Sequence, residues 1–187
     1  SGSSISFPSS FNSQQRLLIL TGQAYFDVKK DKIPFCVETK KFNIKVLGTA
    51  FDVLAYQGEE ALVTLERGKV SLETSSGNGA ILIPGEQAVI EIKSGQIEQR
   101  KVETSKFVAW KDNRLIFTDE SFESVCLKLH RWFNVEISID DESIKKIPVN
   151  GMIEYESFSE VMQLLEICAP VKCTFNMNER RIVIKHK

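Results

Sequence analysis

Long apolar runs are missing from this chain of 187 residues. The longest reach about five residues, against the ~20 that a helix needs to cross a bilayer, and no signal peptide opens the sequence. An excess of one charge is missing too. The 24 Lys and Arg against 25 Asp and Glu leave a net charge of −1, so no basic field draws a polyanion and nucleic acid is not an expected partner. Metal-site spacing is equally absent. Cys36, Cys126, Cys168 and Cys173 form no Cys-x-x-Cys pair, and His130 and His186 complete no ligand set. No metal or cofactor is therefore expected. With 42% hydrophobic and 26% charged residues the composition is that of a globular chain, and the length suits two domains. The abrupt opening Ser1-Gly2-Ser3-Ser4 reads as the start of an excised fragment.

What the chain does have, from Arg16 onward, is a series of short strands. Period-two patterns bounded by Gly, Pro and Lys turns predict strands at residues 17–20, 24–28, 35–38, 42–47, 51–56, 62–65, 70–72, 81–83, 89–92 and 97–102. Residues 1–13 form an edge strand or arm, with Pro8 ending any ladder. Thr21-Gly22 is expected to turn one strand into the next, and Glu66-Arg67-Gly68-Lys69 to close a tight hairpin. Ile83-Pro84-Gly85-Glu86 fits a type II turn, Lys93-Ser94-Gly95-Gln96 a hairpin, and residues 75–79 a flexible loop tip. No helix precedes residue 104, so residues 1–103 are predicted to be an all-β domain, sandwich-like or a wrapped antiparallel sheet. Phe107, Val108 and Trp110 mark residues 104–113 as a short helical or turn-like connector.

The remainder, residues 114–187, repeats itself. Shifted by 36 residues, Ser121-Phe122-Glu123-Ser124-Val125 falls on Ser157-Phe158-Ser159-Glu160-Val161, Leu129 on Leu165 and Ile137 on Cys173. Each copy reads strand, helix, strand, and two copies predict a small closed α+β domain of two βαβ repeats. Asp119 or Ser121 caps the first helix, and Ser157 with Glu160 makes a capping box for the second. At ~100° per residue, Phe122, Val125, Cys126, Leu129, Trp132 and Phe133 line one stripe, and Phe158, Val161, Met162, Leu165 and Cys168 the other. These stripes are core. Leu127, Leu164 and Ile167 fall off them, with Leu127 beside Arg131. These four are the candidate partner-binding residues, although packing between helices or domains would also account for outward leucines. Cys36, Cys126 and Cys173 sit at apolar positions as buried thiols. Cys168 and Cys173 approach each other across one helix–strand turn, which does not by itself make a disulfide.

Catalysis needs a nucleophile with a base, or paired carboxylates in a pocket. His130 is expected on the helix's polar side and His186 in a C-terminal tail, neither with an evident partner, and the acidic runs read as solvated turns. No enzyme is expected. A carbohydrate-binding or structural cell-envelope β-domain is one reading left open by residues 1–103. A sugar-binding face would display aromatics, whereas Phe26, Phe35, Phe42 and Phe51 follow inward alternation.

Several segments resemble the FecR family. They are Gly22-Gln23-Ala24-Tyr25-Phe26-Asp27-Val28, Pro34-Phe35-Cys36-Val37-Glu38-Thr39, Val46-Leu47-Gly48-Thr49-Ala50-Phe51-Asp52-Val53, Leu65-Glu66-Arg67-Gly68-Lys69-Val70 and Leu82-Ile83-Pro84-Gly85-Glu86-Gln87-Ala88. Ala109-Trp110-Lys111 to Leu115-Ile116-Phe117 and Leu129-His130-Arg131-Trp132-Phe133-Asn134-Val135 resemble the C-terminal module of Bacteroidetes members, itself similar to the secretin and TonB short N-terminal (STN) domain. The resemblance implies the periplasmic part of an inner-membrane anti-sigma factor acting in cell-surface signalling. Its partners would be the N-terminal signalling domain of a TonB-dependent transporter and, through a cytoplasmic segment not in this sequence, an extracytoplasmic-function sigma factor that it holds, thereby regulating transcription. Contact with the membrane would come through an upstream span that is also not in this sequence.

Overall fold

The computed structural model describes residues 2–91, 93–176 and 181–187; Ser1 and Ile92, the latter the expected end of the 89–92 strand, lie outside the described residues. The chain divides into two compact units, Gly2–Val108 and Ala109–Lys187. The boundary falls within the stretch expected to be a connector.

The first unit contains β1 (Ser4–Ser6), β2 (Arg16–Asp27), β3 (Phe35–Glu38), β4 (Phe42–Val46), β5 (Ala50–Ala55), β6 (Ala61–Arg67), β7 (Val70–Thr74), β8 (Gly79–Leu82), β9 (Glu86–Ile90), β10 (Ile97–Lys101) and the short helix α1 (Thr104–Val108). The strands join in one sheet of order β10-β9-β6-β5-β2-β3-β4-β7-β8, with β1 added to β2. The sheet wraps until its ends meet, where the Gln99 side-chain amide donates to the Ile81 carbonyl at 2.9 Å and that of Asn78 to the Gly95 carbonyl at 3.0 Å. Alternation puts Phe42, Ile44 and Val46, together with Phe51, Val63 and Leu65, in the core inside the wrap.

Two expected turns are corrected. Thr21-Gly22 does not end a strand, because β2 runs through it for 12 residues. Its first part pairs in parallel with β3, and from Gly22 onward it pairs antiparallel with β5. Gly22 is where the strand changes partner. Its φ is +96°, and a Cβ there would lie 2.5 Å from Ser3 Oγ, so glycine allows both the bend and the close approach of the N-terminal arm. Nor does Gly68 close a hairpin. β6 pairs with β5 and β9, while β7 pairs with β4 and β8. Gly68, at φ +95°, lets the chain cross between those groups against the Gly48 carbonyl, 2.7 Å from a hypothetical Cβ. Thr49 fastens this crossing through its hydroxyl, which donates to the Lys69 carbonyl at 3.0 Å. The predicted hairpin at Gly95 and the hydrogen-bonded turn at Pro84-Gly85 both form, with Glu86 N–H donating to the Ile83 carbonyl at 3.1 Å. The loop tip at residues 75–79 is a compact turn, closed by Thr74 N–H on the Asn78 carbonyl at 2.8 Å.

The second unit opens with a 3-10 turn (Ala109–Asp112), then β11 (Leu115–Ser121), α2 (Phe122–Phe133), β12 (Glu136–Ile139), α3 (Glu142–Lys145), β13 (Pro148–Ile153), α4 (Phe158–Cys168), β14 (Val171–Asn176) and β15 (Arg181–His186). Each repeat does supply strand, helix and strand, but its two strands do not pair with one another. The leading strands β11 and β13 form an antiparallel pair, and the trailing strands β12 and β14 flank β15 in a second sheet. Neither repeat can close a core alone.

The register shows the symmetry of this exchange. Ile116 pairs with Met152, its own counterpart 36 residues on. Ser138 and Thr174, again counterparts, face each other across Val183. A pseudo-two-fold axis therefore passes through both sheets at those residues, with β15 the unrepeated strand lying on it. His186 is the last residue of β15 rather than part of a tail.

Candidate functional site

The helices of the second unit follow from local chemistry. The Ser121 hydroxyl accepts the Ser124 N–H at 3.2 Å and caps α2, so the cap is Ser121 and not Asp119, which takes φ 48° at the bulge of β11. Asn134, left-handed at φ 53°, ends the helix. Ser157 and Glu160 form the capping box of α4, with Ser157 N–H on the glutamate at 2.7 Å and Glu160 N–H on the serine hydroxyl at 3.4 Å. Phe122, Val125, Cys126 and Leu129 are buried on α2, and Val161, Met162 and Leu165 on α4. Cys168 departs from its expected stripe: it is exposed, and Ala169 takes the buried position.

On the outward faces, Leu127 is 38% exposed, Leu164 42% and Ile167 78%. Leu127 and the half-buried Arg131 lie one turn apart on α2, and Leu164 and Ile167 one turn apart on α4. Under the repeat, Arg131 and Ile167 are counterparts, whereas Leu127 corresponds to Gln163 and Leu164 to Lys128. The four thus form two pairs on separate helices.

The structure gives His130 a partner that the sequence did not show, and adds Glu166, which no pattern singled out. His130 and Glu166 are counterparts, and each holds the backbone that follows its helix. His130 Nδ1 lies 2.8 Å from the Val135 carbonyl, and the Glu166 carboxylate accepts the Cys173 N–H at 2.7 Å. The second Glu166 oxygen lies 3.1 Å from Lys172 Nζ. The Cys173 N–H, followed by Lys172, keeps the Glu166 carboxyl below the usual carboxylate range. Tyr155 is 89% exposed, and Met152 and Phe175 are also exposed. For Met152 a signal existed, since strand alternation sets it opposite the buried Ile153; for Glu166 no periodicity revealed the strand edge it would reach.

Several acidic and polar groups elsewhere hold the fold together. Asp141 caps α3 by accepting the Ser143 N–H at 2.8 Å. Gln87, fully buried, donates to Thr64 at 2.7 Å and accepts from Arg100 at 2.6 Å, tying β6, β9 and β10 together. Among the described residues no cluster of His, Cys, Asp and Glu is arranged to hold a metal ion, and no helix is long and apolar enough to cross a membrane.

A unit built almost wholly of strands followed by an α+β unit of two interlocked repeats, with its noteworthy surface chemistry at helix faces and strand edges, defines a class of modular two-unit protein. The FecR protein family model matches residues 1–71, and the FecR C-terminal model matches residues 114–184. Two crystal structures of a candidate anti-sigma factor from Parabacteroides distasonis superpose with TM-scores of 0.88 and 0.87. In both, identity is 29%, with 100% of this chain and 87% of the other covered. No curated protein matches. The chain belongs to the FecR family.

Proposed function

We propose that this chain is the periplasmic, signal-receiving region of a membrane-anchored anti-sigma regulator, relaying the state of a TonB-dependent outer-membrane transporter to an extracytoplasmic-function sigma factor. The anti-sigma role rests on the match to both FecR models and on likeness to the Parabacteroides protein along the whole chain. The role is regulatory rather than catalytic. The observation that carries a receiving role is the second unit's outward chemistry: Leu127, Leu164 and Ile167 stay exposed on helices whose opposite faces are fully used by the core. On each helix these apolar side chains are candidate contact points for a partner, and unpaired strand edges take extended partners cheaply. The carbohydrate-binding alternative is less well supported. Phe42 and Phe51 are buried in the first unit, Phe26 and Phe35 pack against its core, and the exposed Phe7 and Phe11 lie on the N-terminal arm.

Calorimetry of the chain against the N-terminal signalling domain of the transporter encoded beside it tests this reading. Binding is expected, weakened roughly tenfold by Leu127→Asp or Leu164→Asp, the size of one desolvated apolar contact. No heat at high micromolar concentration of both proteins would sink it.

A further inference from the structure

Among the described residues, β11, β12, β13 and β14 each have one side without a ladder partner. Three of these edges are blunted. β11 carries a bulge between Phe117 and Glu120, β13 begins with Pro148 and contains Gly151, and β12 has four residues. β14 has six residues and neither proline nor glycine. Its ladder with β15 is antiparallel, so its backbone groups point alternately toward β15 and away from it. Lys187 N–H on the Pro170 carbonyl, at 2.9 Å, sets the phase: Lys172 and Thr174 face β15, while Cys173 and Phe175 present their N–H and C=O groups outward.

One of those outward donors is already occupied. Glu166 reaches from α4 to accept the Cys173 N–H at 2.7 Å while pairing with Lys172 at 3.1 Å, and Lys187 Nζ lies 2.6 Å from the Glu166 carbonyl. Lys185, opposite Lys172 on β15, pairs with Asp140 at 3.5 Å. Since β15 is the central strand and Asp140 follows β12, Lys185 lies away from this margin, which carries the ammonium groups of Lys172 and Lys187, and a carboxylate from the protein itself fills the place of a neighbouring strand. Phe175, 42% exposed, lies further along the same edge with its ring 5.5 Å from that of Phe158.

We propose that the outer edge of β14 receives an extended segment of the protein partner, one that brings a carboxylate to Lys172 and an apolar side chain to Phe175, and that Glu166 plugs this edge until the segment displaces it. The inference rests on the reading of this unit as a receiver of a protein signal. Glu166 itself indicates the chemistry of the occupant, because its carboxylate satisfies one strand-edge donor and one lysine together. An acidic strand does the same and goes on to pair with Phe175.

The test uses the full chain and the signalling domain of the neighbouring transporter as probe. Amide exchange is expected to slow at least tenfold at Cys173 and Phe175 on binding. Glu166→Ala is expected to bind several-fold tighter and Lys172→Glu several-fold weaker, with far-ultraviolet dichroism showing that both variants are folded. A complex in which Cys173 and Phe175 exchange as in the free chain, or one that Glu166→Ala weakens or leaves unchanged, overturns the edge assignment and leaves the receiving role standing. Absence of any complex, in wild type and variants alike, overturns both.

Discussion

Burial pushes the Cys126 thiol up to about 12 and the Cys173 thiol up to about 11. Cys126 sits among the core residues of α2, and Cys173 is half-buried on β14, whereas Cys168 is exposed. A thiolate is the reacting species in alkylation. With iodoacetamide at pH 8, mass spectrometry should find Cys168 modified first and Cys126 last in the native protein; early loss of the Cys126 thiol would contradict its placement. The shift has a consequence for stability as well. The ordinary thiol value is 9.0, so between about pH 9 and 12 the unfolded chain releases the Cys126 proton while the folded chain keeps it. The folded state's preference for the neutral thiol is complete below pH 9 and is lost as pH rises through that window. Denaturant midpoints should fall from pH 9 to 11, and fall less steeply in Cys126→Ala.

At the scale of elements, the two helices offer an internal comparison. α4 starts with a full capping box and α2 with a single side-chain cap. Ser157→Ala removes both the acceptor for Glu160 N–H and the hydroxyl that holds the glutamate, and should cost about 1 kcal/mol or somewhat more. Ser121→Ala should cost less. Urea titration measures both, and a larger loss at Ser121 would contradict the account. The α4 cap was legible in the sequence because capping is local, serine three residues before glutamate being enough, whereas the α2 cap was left open between Asp119 and Ser121. The helical stripes and the shift of 36 residues were legible for the same reason. Strand pairing was not. Period-two alternation shows that β11 and β12 are strands but not which neighbours they take, and their actual neighbours, β13 and β15, lie well along the chain. Gly22 and Gly68 were recognisable as positions of positive φ, yet that conformation serves a bend within a strand and a crossing between strand groups as readily as a hairpin. The candidate site was half legible. The off-stripe positions of Leu127, Leu164 and Ile167 followed from helical period alone, while the grip of Glu166 on Cys173 depends on a strand edge that only the fold creates.

For the whole molecule, two separate clusters of buried residues form the cores, and each lies within its own compact unit. The second contains Phe122, Leu129, Ile144, Val171, Ile182 and Ile184 at 0% exposure, and every residue grouped in this core belongs to Ala109–Lys187. It also draws on both repeats and on β15 at once, since the strands of each repeat are shared between the two sheets. Residues 109–187 made alone should therefore fold, and do so in a single cooperative step. Either repeat alone should stay unfolded, because its leading strand would lack the sheet partner it has among the described residues and its trailing strand would lack β15. Within the isolated unit, Phe122→Ala should cost about 3–5 kcal/mol, most of the stability of a domain near the lower end of the usual ~5–15 kcal/mol. Dichroism and amide exchange on residues 109–187, on 109–147 and on the Phe122→Ala form measure this. A folded 109–147 fragment, or a two-step transition in 109–187, would show that the repeats are self-sufficient and that the exchange of strands is not what holds the unit together.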